Sequence, residues 1–177
     1  MKGFGRILII AAMLFSFSSV HAELEPQWPK GTMIGNVNAG FFGVDYGVSV
    51  SFDYVLFDEL WAGQFTAGVE TCVSVDKKDT NNKFGRASRN VGIMPRATYG
   101  INVSRQFEVH ATAGLGLGIG EEVFLAREVR GDNFEPFINI NLLMGCRMFL
   151  TDNFAIMTEV GYSYRFPQVR LGFSIKR

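Results

Sequence analysis

The longest regular pattern in the chain alternates apolar residues with polar residues or glycines from Phe107 to Gly120. One face carries Phe, Val, Ala, Leu and Ile, and the other carries Glu, His, Thr and Gly. This period of two predicts a β-strand, because successive side chains of a strand point to opposite faces. The stretch exceeds an ordinary soluble strand and is long enough to cross a bilayer at a tilt, which takes about 9–11 residues.

The glycine-rich face indicates which side of this strand meets lipid. Glycine weakens a strand and packs nothing on a solvent-facing sheet, whereas it saves space inside a narrow closed barrel. We therefore place the apolar face on lipid and the glycine and polar face in a lumen. The alternative is a soluble β-barrel whose apolar face points inward.

Seven further stretches alternate in the same way. The predicted strands are Thr32–Phe42, Tyr46–Phe57, Leu60–Val75, Arg89–Val103, Phe107–Gly120, Phe134–Leu150, Phe154–Arg165 and Gln168–Lys176. Pro95 conflicts with this assignment because it cannot donate a ladder hydrogen bond, so it predicts a bulge or a missing bond. Eight is the smallest common strand number of membrane barrels. The pattern therefore predicts an all-β fold, an eight-stranded antiparallel transmembrane up-and-down β-barrel.

The lengths of the connections orient this barrel. Those after the second, fourth and sixth strands are short, and those after the third and fifth are long. Outer-membrane barrels have short periplasmic turns and longer outer loops, so both chain ends are predicted to be periplasmic. Lipid-facing aromatic residues would form two interfacial girdles. The girdle residues are Trp61, Phe107, Phe149 and Phe154 at the periplasmic end and Phe41, Tyr46, Tyr162 and Tyr164 at the outer end.

The first 22 residues have the features of a secretory signal. Lys2 and Arg6 precede the apolar core Ile7–Phe17, and Val20-His21-Ala22 is a suitable cleavage site. The alternative, an uncleaved anchor, requires a longer apolar core, since a spanning helix takes about 20 residues. We therefore divide the chain into a signal peptide at 1–22, cleaved after Ala22, and an outer-membrane β-barrel domain at 23–177.

Composition adds little that is specific. The formal net charge is zero, which gives no attraction to nucleic acid. The predicted faces place Cys72 in the lumen and Cys146 on lipid, so both are expected to be free although export permits a disulfide. His110 is the only histidine after the signal, which argues against a histidine metal site. We expect no metal and no cofactor.

The inward positions carry charges of both signs in equal number. These residues are Asp53, Glu70, Glu108, Glu159, Arg96, Arg147, Arg165 and Arg170. Buried charges need partners, and eight strands leave an interior just wide enough for side chains. An ion-pair network filling the lumen is therefore predicted. The alternative is a narrow, porin-like channel for uptake or efflux of small or hydrophobic compounds, in which the glycines of the fifth strand leave a void.

The two long loops supply the candidate contact residues. These are Lys77, Lys78, Lys83, Arg86 and Phe124. The basic residues suit anionic lipid headgroups or a host surface, and the apolar tip suits a small hydrophobic ligand. The plainer interpretation is a solvated loop without a specific partner.

Catalysis has weak support in the sequence. Hydrolysis or acyl transfer needs an activated nucleophile, a base and a group that orients the base. His110 and Thr112 share one face with Glu108, yet no orienting group can be identified for them, and a histidine satisfied by its neighbours is the simpler interpretation. We expect no catalytic residue and no enzymatic activity.

The signal, the eight strands, the turn Phe149–Phe154 and the run Ala113–Gly116 resemble the small outer-membrane barrels of the OmpA, OmpX and OmpW type. The resemblance extends over essentially the whole mature chain and rests on the overall pattern. It implies insertion into the bacterial outer membrane by the barrel assembly machinery, contact with outer-membrane lipid, and a structural or surface-interaction role in the cell envelope. Such barrels usually end on an aromatic residue, whereas this chain ends Ile175-Lys176-Arg177.

Overall fold

The computed structural model of the chain describes residues 28–61, 63–78, 86–124 and 130–177, so the predicted signal peptide lies outside the described residues. The strands are β1 (Met33–Phe41), β2 (Tyr46–Leu60), β3 (Gly63–Lys78), β4 (Arg86–Ser104), β5 (Phe107–Phe124), β6 (Arg130–Thr151), β7 (Phe154–Ser163) and β8 (Val169–Lys176). Over the described ranges, no helix is both long enough and apolar enough to cross a membrane.

Each strand pairs antiparallel with the next, and the ring closes between β8 and β1. Val37 of β1, for example, pairs with Val50 of β2 on one side and with Phe173 of β8 on the other. Closure gives every described strand a neighbour on both sides, as a barrel in lipid requires. The prediction of an eight-stranded antiparallel up-and-down β-barrel is confirmed.

The two faces of the barrel wall are opposite in character to those of a soluble barrel. Large apolar side chains cover the outside, among them Phe52, Ile93, Leu117, Ile138 and Leu171. Small polar side chains are buried inside, among them Asn36, Ser51, Thr98, Asn139 and Ser174. A continuous apolar outer surface of this size needs an apolar surrounding. The alternative with the apolar face inward is therefore wrong.

One end of the barrel holds Trp28, Arg177 and three tight turns, and we call it the turn end. The opposite end is the mouth. Toward the mouth, β3 and β5 run further than predicted and β4 and β6 begin earlier. The sequence pattern missed these extensions because their residues lack apolar alternation, which a strand needs only where one face meets lipid.

Pro95 interrupts one ladder without a bulge. It pairs in register with Val69 of β3. On its other side, the pairing of β4 with β5 passes from Ile93↔Leu117 to Arg96↔Gly114 in the same register, with no pair between them. Proline lacks a backbone N–H donor, and the ladder between β4 and β5 is interrupted beside it. Of the two predicted outcomes, the missing bond is therefore the one observed.

The glycine face of β5 is filled by side chains from its neighbours. A Cβ at Gly114 would lie 3.2 Å from the Met94 sulfur, and a Cβ at Gly118 would collide with the ring of Phe137. The glycines therefore make room for Met94 and Phe137. The void expected there under the channel alternative is wrong.

Most of the predicted girdle residues lie on the outer wall. Trp61, Phe107, Phe41, Tyr46, Tyr162 and Tyr164 are exposed, and Phe154 is half-buried. Phe149 is different, because its ring points inward and packs edge-on against Trp28, with 5.1 Å between ring centroids. The assignment of Phe149 to the girdle is wrong, since this residue shares the inward phase of Arg147 two positions earlier.

The two cysteines provide a test of the face assignment. Both are free as predicted; Cys72 is buried in the lumen, and Cys146 is exposed on the outer wall. In the folded protein in detergent, we expect a maleimide to modify Cys146 and to leave Cys72 unmodified, with mass spectrometry as the readout. A Cys146→Ser variant is the matched control. It should take up label only after unfolding, and labelling of its folded form would contradict the placement of Cys72.

Candidate functional site

Seven of the eight charged residues predicted for the lumen lie there, one on each strand from β2 to β8. They are Asp53, Glu70, Arg96, Glu108, Arg147, Glu159 and Arg170, each at most 3% exposed. Alternation puts each of them on the inward face of its strand. The ladder then sets Glu108 directly opposite Arg147, and Glu159 directly opposite Arg170.

Arg96 is the centre of this lumen network. Its Nη1 donates to Glu70 Oε2 at 3.0 Å, and its Nε lies 3.3 Å from Asp53 Oδ1. Its Nη2 lies 3.6 Å from Glu159 Oε1. One guanidinium thus contacts carboxylates from β2, β3 and β7, which spans the width of the lumen.

Arg170 provides a second cation for the same carboxylates. Its Nη1 donates to Glu70 and lies 3.9 Å from Glu159 Oε2. Its Nε donates to the backbone carbonyl of Pro167 at 3.0 Å. Because Glu70 and Glu159 are each shared by two arginines, the removal of one member leaves several partners incompletely paired.

A second group of charges lies nearer the turn end. Glu108 Oε1 accepts from Arg147 Nη1 at 2.6 Å, and Glu108 Oε2 accepts from Gln64 Nε2 at 2.5 Å. His110 lies between this group and the Arg96 group. Its Nδ1 is 3.5 Å from Glu108 Oε1 and its Nε2 is 3.5 Å from Glu159 Oε1.

Gly145 explains how His110 reaches a strand that is not its neighbour. In the ladders, Gly145 of β6 lies between His110 of β5 and Glu159 of β7. A Cβ at this glycine would lie 2.7 Å from the His110 Nε2. Sequence reasoning placed His110 inward but left it out of the network, since the gap at Gly145 is visible only once the register is known.

The lumen network is closed at the turn end by an apolar layer. Trp28 is 0% exposed, and it packs with Ile34, Val55, Phe149 and Ala155. The guanidinium carbon of Arg147 lies 5.0 Å from the Trp28 ring, which couples this layer to the charges above it. Sequence reasoning missed Trp28 because it precedes β1, where no strand alternation marks a residue as inward.

A second apolar layer closes the network toward the mouth. Phe166 is fully buried there with Cys72 and Met94, and Phe137 packs against them. The rings of Phe137 and Phe166 are 6.0 Å apart. Phe166 comes from the connection after β7, outside the predicted strands, and its side chain nevertheless folds into the lumen.

Arg165 does not belong to the lumen network, and its assignment there is wrong. The strand β7 ends at Ser163, and Arg165 has φ 58°, so strand alternation no longer sets its direction. Its side chain is 31% exposed at the mouth, and its Nη2 lies 3.5 Å from Glu135 Oε2. Within the described strands, the four lumen carboxylates therefore face three arginines and His110.

The mouth contains a cavity of about 350 Å³ outside the Phe166 layer. Its lining is mixed in character, with hydroxyl, amide, carboxylate, guanidinium and phenol groups. The residues that carry these groups include Asp76, Ser88, Asn90, Glu135, Ser163, Tyr164, Arg165 and Gln168. Within the described part of the chain, no three His, Cys, Asp or Glu side chains are grouped so that they could hold a metal ion.

Four of the five predicted contact residues lie at strand ends. Lys77 and Lys78 end β3, Arg86 begins β4 and Phe124 ends β5, all at the mouth. The placement of their side chains is not described, and Lys83 lies outside the described residues. Their role in contacts remains a prediction.

Neither a known family model nor a curated protein sequence matches the chain. Among solved structures, the N-terminal β-barrel domain of OprF from Pseudomonas aeruginosa aligns with a TM-score of 0.52 at 14% identity, over 84% of this chain and 98% of that one. A designed transmembrane β-barrel gives 0.48 at 16% identity, over 87% and 100% of the two chains. Neisserial surface protein A gives 0.47 at 14% identity, over 82% and 93%.

At these identities the similarity concerns the fold alone. The comparison of folds rests on the OprF domain. The shared features are the strand number, the antiparallel order and the ring closure. The chain therefore has the fold of the small eight-stranded outer-membrane β-barrels, as its resemblance to the OmpA, OmpX and OmpW type implied.

Proposed function

We propose that this protein is an integral outer-membrane protein whose barrel is a closed structural scaffold that presents its mouth and outer loops to the surroundings. The observation that carries the proposal is the filled lumen, in which a charge network lies between two apolar layers. In this orientation the turn end faces the periplasm and the mouth faces outside. Insertion by the barrel assembly machinery belongs to the same proposal.

The outer wall supports the membrane location. Its exposed apolar side chains lie on all eight strands, and the aromatic ones are concentrated toward the two ends. This arrangement matches the apolar band and flanking girdles of a barrel in lipid. The five strands β2 to β6 exceed the about 9–11 residues that a tilted crossing requires, with 15 in β2 and 19 in β4. The strands β1, β7 and β8 have 9, 10 and 8 residues.

The lumen network opposes transport. A solute crossing the barrel would have to displace Trp28 at one end and Phe166 at the other, and then separate Arg96 from its three carboxylates. Separating a buried ion from its partners costs several kcal/mol, because no water replaces the lost contacts. The filled lumen therefore favours a scaffold over the channel alternative.

The same enclosure opposes catalysis. Glu108 and Glu159 contact arginines and His110, and apolar layers cover the group on both sides. A general base must come within hydrogen-bond reach of its substrate. The groups available to other molecules are those of the mouth and the outer hairpins, where lipid headgroups or a host surface could bind.

The stability of the barrel should depend on Arg96 far more than on an exposed arginine of the same strand. We expect Arg96→Met to lower the free energy of unfolding by about 3–5 kcal/mol, since it leaves buried carboxylates incompletely paired. Arg89→Met is the matched control, because Arg89 is an exposed residue of β4. Urea unfolding in lipid vesicles measures both, and equal losses would contradict a network centred on Arg96.

The scaffold proposal predicts that the inserted barrel does not conduct. Protein purified from bacterial outer membranes should give no discrete current steps in a planar bilayer. Insertion is verified separately on vesicles, by protease protection and by retention of the compact electrophoretic form before heating. Reproducible single-channel steps from the folded protein would overturn the closed scaffold and restore the channel alternative.

A further inference from the structure

The cavity at the mouth has no role in a closed scaffold. Its volume of about 350 Å³ lies at the small end of the range for ligand pockets, which is about 300–1,000 Å³. Its deeper part is formed by Asn90 and Ser163, both nearly fully buried, and the Phe166 layer follows beneath. A molecule entering from outside would be held at the mouth, because the closed lumen gives it no further path.

The neutral groups of the cavity can donate and accept hydrogen bonds at once. Ser88 Oγ donates to Asn90 Oδ1 at 3.3 Å, and Asn90 Nδ2 donates to Ser74 Oγ at 3.3 Å. Both contacts are long for hydrogen bonds, so they exchange readily with a better-placed partner. Hydroxyl and amide groups with such capacity complement a ligand that is itself rich in hydroxyls.

The charged groups of the cavity disfavour a charged ligand of either sign. Among the described lining residues, Asp76 and Glu135 supply two carboxylates and Arg165 supplies one guanidinium, which opposes an anion. The guanidinium carbon of Arg165 lies 4.8 Å from the Phe137 ring and 5.5 Å from the Tyr164 ring. It therefore already occupies the aromatic faces on which a ligand cation would stack.

The backbone at Arg165 is strained, and a buried hydrogen bond holds it. Its φ of 58° is uncommon for a residue other than glycine, and the buried Ser74 Oγ holds its carbonyl at 2.6 Å. The side chain then reaches across the mouth to β5, where a Cβ at Gly120 would lie 2.8 Å from Arg165 Nη1. Strain of this kind concentrates at functional sites, where the surrounding structure maintains it.

We infer that the mouth cavity binds a small neutral saccharide, of mono- or disaccharide size. Ser88 and Asn90 exchange hydrogen bonds with its ring hydroxyls, the carboxylates of Asp76 and Glu135 accept from adjacent hydroxyls, and Arg165 donates to a ring or hydroxyl oxygen. The inference rests on the proposed function only for the outward orientation of the mouth.

Amide chemical shifts measure binding directly. Isotope-labelled protein in a phosphocholine detergent is titrated with glucose, galactose, maltose and lactose; maltoside and glucoside detergents are avoided because they carry the probe. We expect at least one sugar to shift the amides of Gly43, Ser88 and Gly120 saturably. Amides of Gln106 and Asn153, at the turn end, should not move.

Inorganic sulfate and putrescine serve as charged probes in the same titration. Both should leave the mouth amides unchanged over the sugar concentration range. Saturable shifts with either ion and none with the sugars would overturn the neutral class. No saturable shift with any of the four sugars would overturn the site itself.

A cavity-filling variant distinguishes sugar binding inside the cavity from weak contact at the protein surface. Ser88→Trp should weaken the apparent sugar affinity at least tenfold, while Gln106→Trp in the turn after β4 should leave it unchanged. Equal affinity in the two variants would place binding elsewhere and overturn the inference.

The conductance measurement distinguishes failure of this inference from failure of the scaffold. If the protein gives no current steps and binds no sugar, only the saccharide site is overturned. Current steps together with binding overturn the closed scaffold and leave the site in place.

Discussion

A ring of eight strands encloses a space that side chains alone can fill, so each charge that faces inward must find its partner inside the ring. In this protein that constraint is met by seven charged residues on seven strands and by His110 between them. The two apolar layers then follow from the same requirement. They separate the ion pairs from water at both ends, where solvent would otherwise compete for the same contacts.

Glycine and charge have linked roles in this lumen. Gly145 lets His110 approach Glu159, and the glycines of β5 admit Met94 and Phe137. A side chain at any of these positions would separate groups that the network or the Phe166 layer brings together. The small residues therefore shape the interior as much as the large ones fill it.

The sequence alone was sufficient for the architecture because lipid imposes a strict period of two on each crossing. Strand number, order of faces and the separate environments of Cys72 and Cys146 all follow from that period. The period of two gives no information about residues outside the membrane-crossing strands. Trp28 precedes the first strand, Arg165 follows the seventh, and the strand extensions at the mouth lack apolar alternation in their sequence. Sequence reasoning missed or misplaced residues at these positions. Phe149 is a separate case, because it lies inside β6 and its girdle assignment went against the period itself.

The pairing of the charged side chains within the lumen could not be predicted from the sequence, for a different reason. Alternation tells which residues face inward, but not their height along the barrel, and height depends on the register of every ladder. The pairing of Arg96 with Asp53 and Glu159, from strands on both sides, emerges only from the closed ring.

The contact between Arg170 and Glu70 joins residues 100 positions apart in the chain, on β8 and β3. Neither residue can meet the other until the last strand has returned to the first. Until that moment a partly assembled sheet carries charges without their final counter-ions, in a surrounding that tolerates them poorly. Part of the stabilisation from the network is therefore gained only when the ring closes, which favours cooperative assembly. Contacts of such long sequence separation form slowly, because a long stretch of chain has to be closed before they are made.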